Sequence, residues 1–413
     1  MAGKRALSGV RILDLSRVLA GPFATQMLGD LGAEVIKVER PGKGDECRQY
    51  GPPFLKDAEG RNTAESSFYL SVNRNKKSIA VDIAKPQGQE IIRELAKQCD
   101  VLIENFKVGD LQRYGLDYAS LKIINPRLIY CSVTGFGQTG PYRLRPGYDS
   151  IFQGMSGLMS VTGNPDGTPG GGPMKTGPSL GDVMTGQFAV SAILAALYHR
   201  DANGGNTGQH VDVALLDSLI ATNSHYSSHY LVSGDVPVRR GTEGNGGMPS
   251  RLFHCADGDI MLVVGNDAQF VRLCEVLGRP ELARDPRFVT NVARVTHRRE
   301  VVQFLEPLFL QRKCAEILDA LERAVVPAGP VYDLKQVFED PQVREREMCV
   351  EIAHPSSGDG KVKLVGHPVK YSETPVTQYQ RPPRLGEHTN EVLRTVLQFD
   401  ENTLANLREQ KII

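Results

Sequence analysis

Short apolar runs alternate with helical patterns through the N-terminal half of the chain. The runs at Val10–Leu15, Glu34–Val38, Ser78–Ile83, Val101–Glu104 and Leu128–Val133 are too short for helices and rich in Val, Ile and Leu, so they predict buried strands. Between them, Pro22–Leu31 and Gln87–Gln98 carry apolar residues at helical spacing, with Ile91, Ile92, Leu95 and Ala96 on one face of the second. A β-α-β-α order implies a parallel sheet with helices on both faces, an α/β fold. Val183–His199 is almost free of charge and predicts a helix buried on most sides. The polar, glycine-rich Asp201–Gly208 breaks the pattern. His210–Ala214 then reads as a strand and Leu215–Val232 as a helix, while residues 234–258 are loop-like. Ile260–Val264 and Ala268–Leu277 open a second αβ region, helices fill 297–325, and the tail alternates strands (Cys349–Ala353, Lys361–Leu364) with Pro/Gly turns.

A chain of 413 residues is too long for one typical core, so two domains are expected. Its 48 Lys and Arg cancel its 48 Asp and Glu, and no global field points to nucleic acid or an anionic membrane. The longest apolar stretch, near Phe188–Tyr198, is too short to span a bilayer. The first strand candidate follows the start so closely that a secretory or transit segment has no room. Seven dispersed cysteines without a Cys-x-x-Cys pair read as reduced thiols of a cytoplasmic protein.

Candidate chemistry centres on Gly181-Asp182, where a Gly/Pro-rich loop (Thr162–Pro173) gives way to the long apolar helix. A carboxylate there faces unpaired backbone N–H groups and the helix dipole, which favour its ionised, nucleophilic form. An ordinary N-cap aspartate fits the same facts. The first βα turn, Ser16–Pro22, lacks the G-x-G-x-x-G of a dinucleotide site. Gly135–Gly140 has that spacing, but Pro141 and Pro146-Gly147 follow, so no helix opens and the segment reads as a loop. Gly177–Gly181 fits G-x-S-x-G without the strand a nucleophile elbow needs. His225 and His229 share helical spacing but lack a third ligand, so no metal site is expected. Arg40, Arg74, Lys107 and Arg113 each read singly as solvated cations. Together they recur on successive loops flanking one sheet's strands, which suggests a polyphosphate nucleotide. Gly241–Pro249 is a flexible linker, or a lid over the chemistry.

In chain order, Leu7–Asp14, Ala20-Gly21-Pro22, Gly29–Gly42, Asn73–Ser78, Glu104-Asn105-Phe106, Gly135–Pro141, Gly147-Tyr148-Asp149, Gly181-Asp182 and Leu385–Thr389 closely resemble the class III CoA-transferase family. That group includes formyl-CoA transferase, carnitine CoA-transferase and α-methylacyl-CoA racemase. The resemblance runs nearly end to end. It implies a Rossmann-like large domain, a smaller α+β domain, and two ring-shaped subunits interlocked as a homodimer. The partition expected with it is a CoA-binding part at 1–205, a linker helix at 206–232, a small domain at 233–330 and a return segment at 331–413.

By the same resemblance Asp182 is the nucleophile. Coenzyme A, as co-substrate and with no further cofactor or metal, lies against Leu19, Ala20, Arg40, Val72, Asn73, Arg74, Asn75, Asn105, Phe106, Lys107 and Arg113. Racemases of the family carry a His where this chain has Tyr148, which exchanges protons poorly near neutral pH. This favours CoA transfer, with an acyl-CoA racemase or isomerase as the alternative and a non-catalytic CoA-binding protein as a third reading. Gly244, Asn245, Gly246 and Gly247 stand where the family has a glycine loop, and backbone N–H groups at the helix start and in this loop are candidate oxyanion donors. Arg251 departs from the family pattern and, with Arg239 and Arg240, suggests a small dicarboxylate acceptor alongside a succinyl-CoA donor.

Overall fold

The fold is taken from a computed structural model describing residues 5–244 and 246–413. Its thirteen strands are β1 (Arg11–Asp14), β2 (Glu34–Glu39), β3 (Phe54–Lys56), β4 (Asn62–Ser66), β5 (Lys76–Ala80), β6 (Val101–Glu104), β7 (Ile129–Thr134), β8 (His210–Ala214), β9 (Ser250–His254), β10 (Asp259–Val263), β11 (Ala328–Pro330), β12 (Cys349–Ala353) and β13 (Lys361–Val365). Six of them form one sheet in the order β5-β2-β1-β6-β7-β8, every pair parallel. The predicted α/β core is therefore present.

Alternate residues of these strands feed opposite faces, as the two-residue strand period requires. Leu13, Ile36 and Ile79 pack with Ile92 and Leu95 of the Pro86–Lys97 helix and with Val392, Leu393 and Leu404 of the C-terminal helices. On the other face, Ile12, Val35, Val101 and Ile103 pack beneath the Ala20–Asp30 and Leu180–Ala202 helices. The two helices approach closely at Gly186, where a Cβ would lie 2.6 Å from the Ala20 carbonyl oxygen.

The chain divides into two compact units. One comprises residues up to 159, 175–235 and 344–413; the other comprises 160–174 and 236–343. This differs from the expected partition in three places. Residues 206–232 are no linker, because β8 pairs with β7 as the sheet's edge strand. Residues 160–174 join the second unit, and that unit continues to 343. The second unit has its own core of Phe253, Ile260, Leu262, Phe270, Leu305 and Phe309 around an antiparallel sheet ordered β11-β10-β9.

Two further elements depart from the pattern-based reading. The expected helix over Leu215–Val232 breaks at Ser224 (φ 45°) into Leu215–Thr222 and His225–Ser233. The Leu180–Ala202 helix is not buried on most sides. Ala189, Val190, Ile193, Ala196 and Leu197 face inward, whereas Gln187, Phe188, Ser191, Ala195, Tyr198 and His199 form an open face. At 23 residues it is long and apolar enough to cross a membrane by length and composition alone. In this fold its inner stripe packs into the core beside the Ala20–Asp30 helix.

Candidate active site

The site gathers at the carboxyl edge of the parallel sheet, where open α/β folds bind their ligands. Past β1 the chain turns through Arg17-Val18-Leu19 before the Ala20–Asp30 helix. Val18 adopts φ 69°, a left-handed conformation that a β-branched residue takes only when its surroundings impose it. Those surroundings are identifiable. Val18 N–H donates to the Asp45 carboxylate (3.1 and 3.2 Å), and buried Asp45 is paired with buried Lys37 at 2.9 Å. Beside it, Asn105 accepts from Arg17 N–H (2.9 Å) and donates to the Arg17 carbonyl (2.7 Å), tying the ends of β1 and β6 together.

Asp182 enters from the opposite wall, as the third residue of its helix. One residue earlier, Gly181 N–H donates to Asp149 Oδ1 at 2.7 Å, and the other Asp149 oxygen accepts from Gln153 Nε2 at 2.6 Å. Gln153 Oε1 in turn accepts from Thr176 N–H at 2.9 Å, so the helix start is pinned from both sides. A Cβ on Gly181 would sit 2.8 Å from Asp149 Oδ1, so this packing requires glycine. The Asp182 carboxylate accepts no hydrogen bond from the described residues. Burial first, and the Asp149 charge second, push its carboxyl up to about 7. The helix dipole opposes this by up to about 2 kcal/mol in a partly buried setting, about one and a half pH units and less than the upward shift. Burial wins, and the expectation of a firmly ionised carboxylate at the helix start gives way.

Asp182 lines a cavity of about 320 Å³ together with Leu19, Ala20, Asn105, Phe106, Lys107 and Tyr148. Seven of the residues expected from the sequence thus meet in one place. Arg17, paired with Glu46 and placed over the Phe106 ring, lines it too, as do Tyr50, Arg143 and Arg145.

Other expected residues lie elsewhere. Val72–Asn75 precede β5 and so enter the sheet at its amino edge, away from the carboxyl edge where the cavity lies. Arg74 is 3% exposed and bidentate to Asp30 (2.9 and 2.6 Å), with its third nitrogen on the Val365 carbonyl. Asn73 is bonded to the Tyr69 carbonyl and Lys76, and Asn75 to Asp30 and Gln380. These groups hold the fold and leave no edge for a phosphate, which corrects the cationic-loop reading of this segment. Arg40 is exposed after β2, and Arg113 is exposed beside Tyr114; neither lines this cavity.

The glycine loop and Arg251 belong to the second unit. Asn245 lies outside the described residues. Gly244 N–H is already bonded to the Ser250 carbonyl at 2.9 Å, so it is not available as an oxyanion donor in this arrangement. At Gly247 a Cβ would meet the Val264 carbonyl oxygen at 2.2 Å, which explains the glycine by close backbone approach. Arg251 lies 3.4 Å from both Glu243 and Glu306, in a cavity of about 640 Å³ that Arg239, Arg240 and Arg298 also line. Arg239 is engaged by Asp166 and Arg298 by Glu243.

Residues 7–389 match the model of CoA-transferase family III. The chain belongs to that family. Succinate–glutarate CoA-transferase of Agrobacterium fabrum is 48% identical over 392 residues, covering 94% of this chain and 95% of the relative. The human succinyl-CoA:glutarate CoA-transferase is 42% identical over 409 residues, covering 99% and 90%. Among solved structures, a CAIB/BAIF family protein from Brucella suis superposes with a TM-score of 0.85 at 41% identity, over 95% of this chain and all of that one. This protein is therefore an enzyme, a CoA-transferase. The signals missed in its sequence were Arg143 and Arg145, which stand in a Pro-bounded stretch without periodicity, and Val18, whose backbone conformation no side-chain pattern announces.

Proposed function

We propose that this transferase moves CoA from succinyl-CoA to a small dicarboxylic acid such as glutarate, with Asp182 as the nucleophile. The Asp182 carboxylate attacks the thioester carbonyl; the C–S bond breaks, CoA leaves as thiolate and an acyl–aspartyl anhydride remains. The thiolate then attacks the aspartyl carbonyl, releasing the donor acid and leaving an aspartyl–CoA thioester. The acceptor carboxylate displaces CoA from that thioester to form a second anhydride. Thiolate attack on the acceptor's acyl carbon yields the new acyl-CoA and frees Asp182. Covalent catalysis divides a difficult exchange into steps that each keep the acyl group activated.

One observation carries this reading: among the described residues the Asp182 carboxylate has no hydrogen-bond partner, and it stands at the wall of the cavity that Leu19, Ala20 and Asn105–Lys107 share. Coenzyme A runs along that cavity, its phosphates toward Lys107. Tyr148, exposed at the rim, orients substrate and does not exchange protons. The substrate pair follows from the relatives' names. The enzyme works as an interlocked homodimer in the cytoplasm, a reading supported by exposed Phe188 and Tyr198 on the Leu180–Ala202 helix and by seven free cysteines.

The test is chemical trapping. Wild type incubated with succinyl-CoA and then hydroxylamine should carry a hydroxamate on the Asp182 peptide, read by mass spectrometry. Asp182→Asn should fold and bind CoA yet lose transfer by several orders of magnitude. Near-normal turnover by that variant, or label on another carboxylate, refutes the assignment.

A further inference from the structure

Two arginines in the Asp182 cavity are not used by the mechanism above. Arg143 and Arg145 lie on the segment between β7 and the Asp149–Met155 helix, both exposed and both lining the cavity. Neither guanidinium has a carboxylate partner among the described residues. This separates them from Arg17, which is paired with Glu46, and from Arg239, Arg251 and Arg298 of the second unit, which are all paired.

Arg145 is also held in place. Its guanidinium carbon sits 3.8 Å above the Tyr142 ring centroid. Tyr142 packs edge-on against Phe136 at 5.6 Å, and Phe136 against fully buried Phe152 at 5.0 Å. Phe152 is gripped by Gly135 and Gly147, where a Cβ would come within 2.4 and 2.2 Å of its ring. An arginine stacked on a ring keeps its N–H edge directed outward while its face is covered. Such an edge matches the two oxygens of a carboxylate. The segment ends at Tyr148 and Asp149, and Asp149 receives the N–H next to the nucleophile. Arg145 is four residues from Asp149, at most about 14 Å along an extended chain. Arg143, Arg145 and Asp182 line the same cavity, so an acyl group on Asp182 and the two arginine side chains share one space.

We propose that Arg143 and Arg145 bind the far carboxylate of a dicarboxylic acyl group, so that this loop sets the acid specificity of the transferase. The proposal rests on the succinyl-CoA and dicarboxylate reading and assigns the residues that enforce it. A monocarboxylic acid of equal length lacks the second carboxylate and so forgoes this charge-assisted contact.

The double variant Arg143→Gln/Arg145→Gln decides the matter, with glutarate, its monoamide and valerate compared as acceptors from one donor. The variant is expected to lose about ten- to hundredfold in kcat/KM for glutarate, the size of a charge-assisted contact, and nothing for the other two. Binding of glutarate and of its monoamide in the presence of CoA, followed by calorimetry, reads the same contact without turnover. A wild type that binds glutarate but transfers no CoA to it defeats the functional reading and leaves this proposal standing on the binding data. Equal losses for all three acids overturn the proposal. So does a loss that follows the donor's 3′-phosphate, seen as normal behaviour with dephospho-CoA thioesters, because the arginines would then be phosphate ligands.

Discussion

Asp182 owes its charge state to neighbours that are distant in sequence. Asp149, which anchors Gly181, stands 32 positions earlier. With its carboxyl pushed up to about 7, Asp182 is protonated and inert in mild acid, so transfer should rise with pH through neutrality. Asp149→Asn keeps an oxygen to accept Gly181 N–H but removes the charge. The acid limb of kcat/KM should then move to lower pH. Glu104, which burial also pushes up to about 7, is the control: Glu104→Gln should leave that limb in place. The stability sign follows from the same shift. A carboxyl whose folded value exceeds its unfolded value of about 3.9 contributes stability below that pH and loses it as pH rises through 7. Asp182→Asn should therefore melt about a few degrees above wild type at pH 8 and level with it at pH 4. A limb that ignores Asp149→Asn, or a variant no more stable at pH 8, would show that burial does not control this group. Partners also explain why single residues were only half legible. Asp182 was visible from its place at a helix start, but Arg74 and Arg145 look alike in sequence. One is bidentate to Asp30 from 44 positions away, and the other has no carboxylate partner among the described residues.

At the level of elements, the parallel sheet was readable because its strands are buried on both faces and so appear as continuous Val/Ile/Leu runs. The β3–β4 hairpin and β9 were not, since Asn62–Ser66 and Ser250–His254 mix polar and apolar positions and take their register from partner strands. The break at Ser224 likewise leaves no apolar signature. The β7-to-helix segment that carries Tyr142, Arg143, Arg145 and Tyr148 has no period at all; its shape comes from Phe152 seated against Gly135 and Gly147. Gly147→Ala forces a methyl into that ring and should cost about 1–3 kcal/mol in urea unfolding. It should also lower kcat/KM by more than tenfold even where the protein is fully folded, because the cavity-lining residues shift with the loop. Gly154→Ala is the matched control. Its new methyl would meet nothing nearer than Met159 Sδ at 3.8 Å, and it lies within a helix, so neither stability nor activity should fall. Equal behaviour of the two variants would mean that the Phe152 contact does not shape the site.

For the whole molecule, the question is what covers the apolar surface that one chain leaves open. Phe188 and Tyr198 on the outer face of the Leu180–Ala202 helix, with Ile220, Tyr230, Leu231 and Val232 on the helices after β8, are 40–88% exposed. The homodimer proposed above would cover these residues. The chain also passes between its two units more than once, with 160–174 and 236–343 in the second and 175–235 and 344–413 in the first. If the dimer proposed above consists of two interlocked rings, it cannot part by dilution, since one ring must open first. Dissociation is then limited by unfolding and not by the strength of the surface contact. Two differently labelled preparations mixed under native conditions should form no mixed dimers over days at any concentration, as native mass spectrometry would read. Joint unfolding and refolding should scramble them to the statistical ratio. Leu231→Glu/Val232→Glu should lower the refolding yield of the dimer while adding no exchange to protein already assembled. Rapid native exchange, or a dimer that dissociates on dilution, would establish a simple face-to-face contact and remove the interlock.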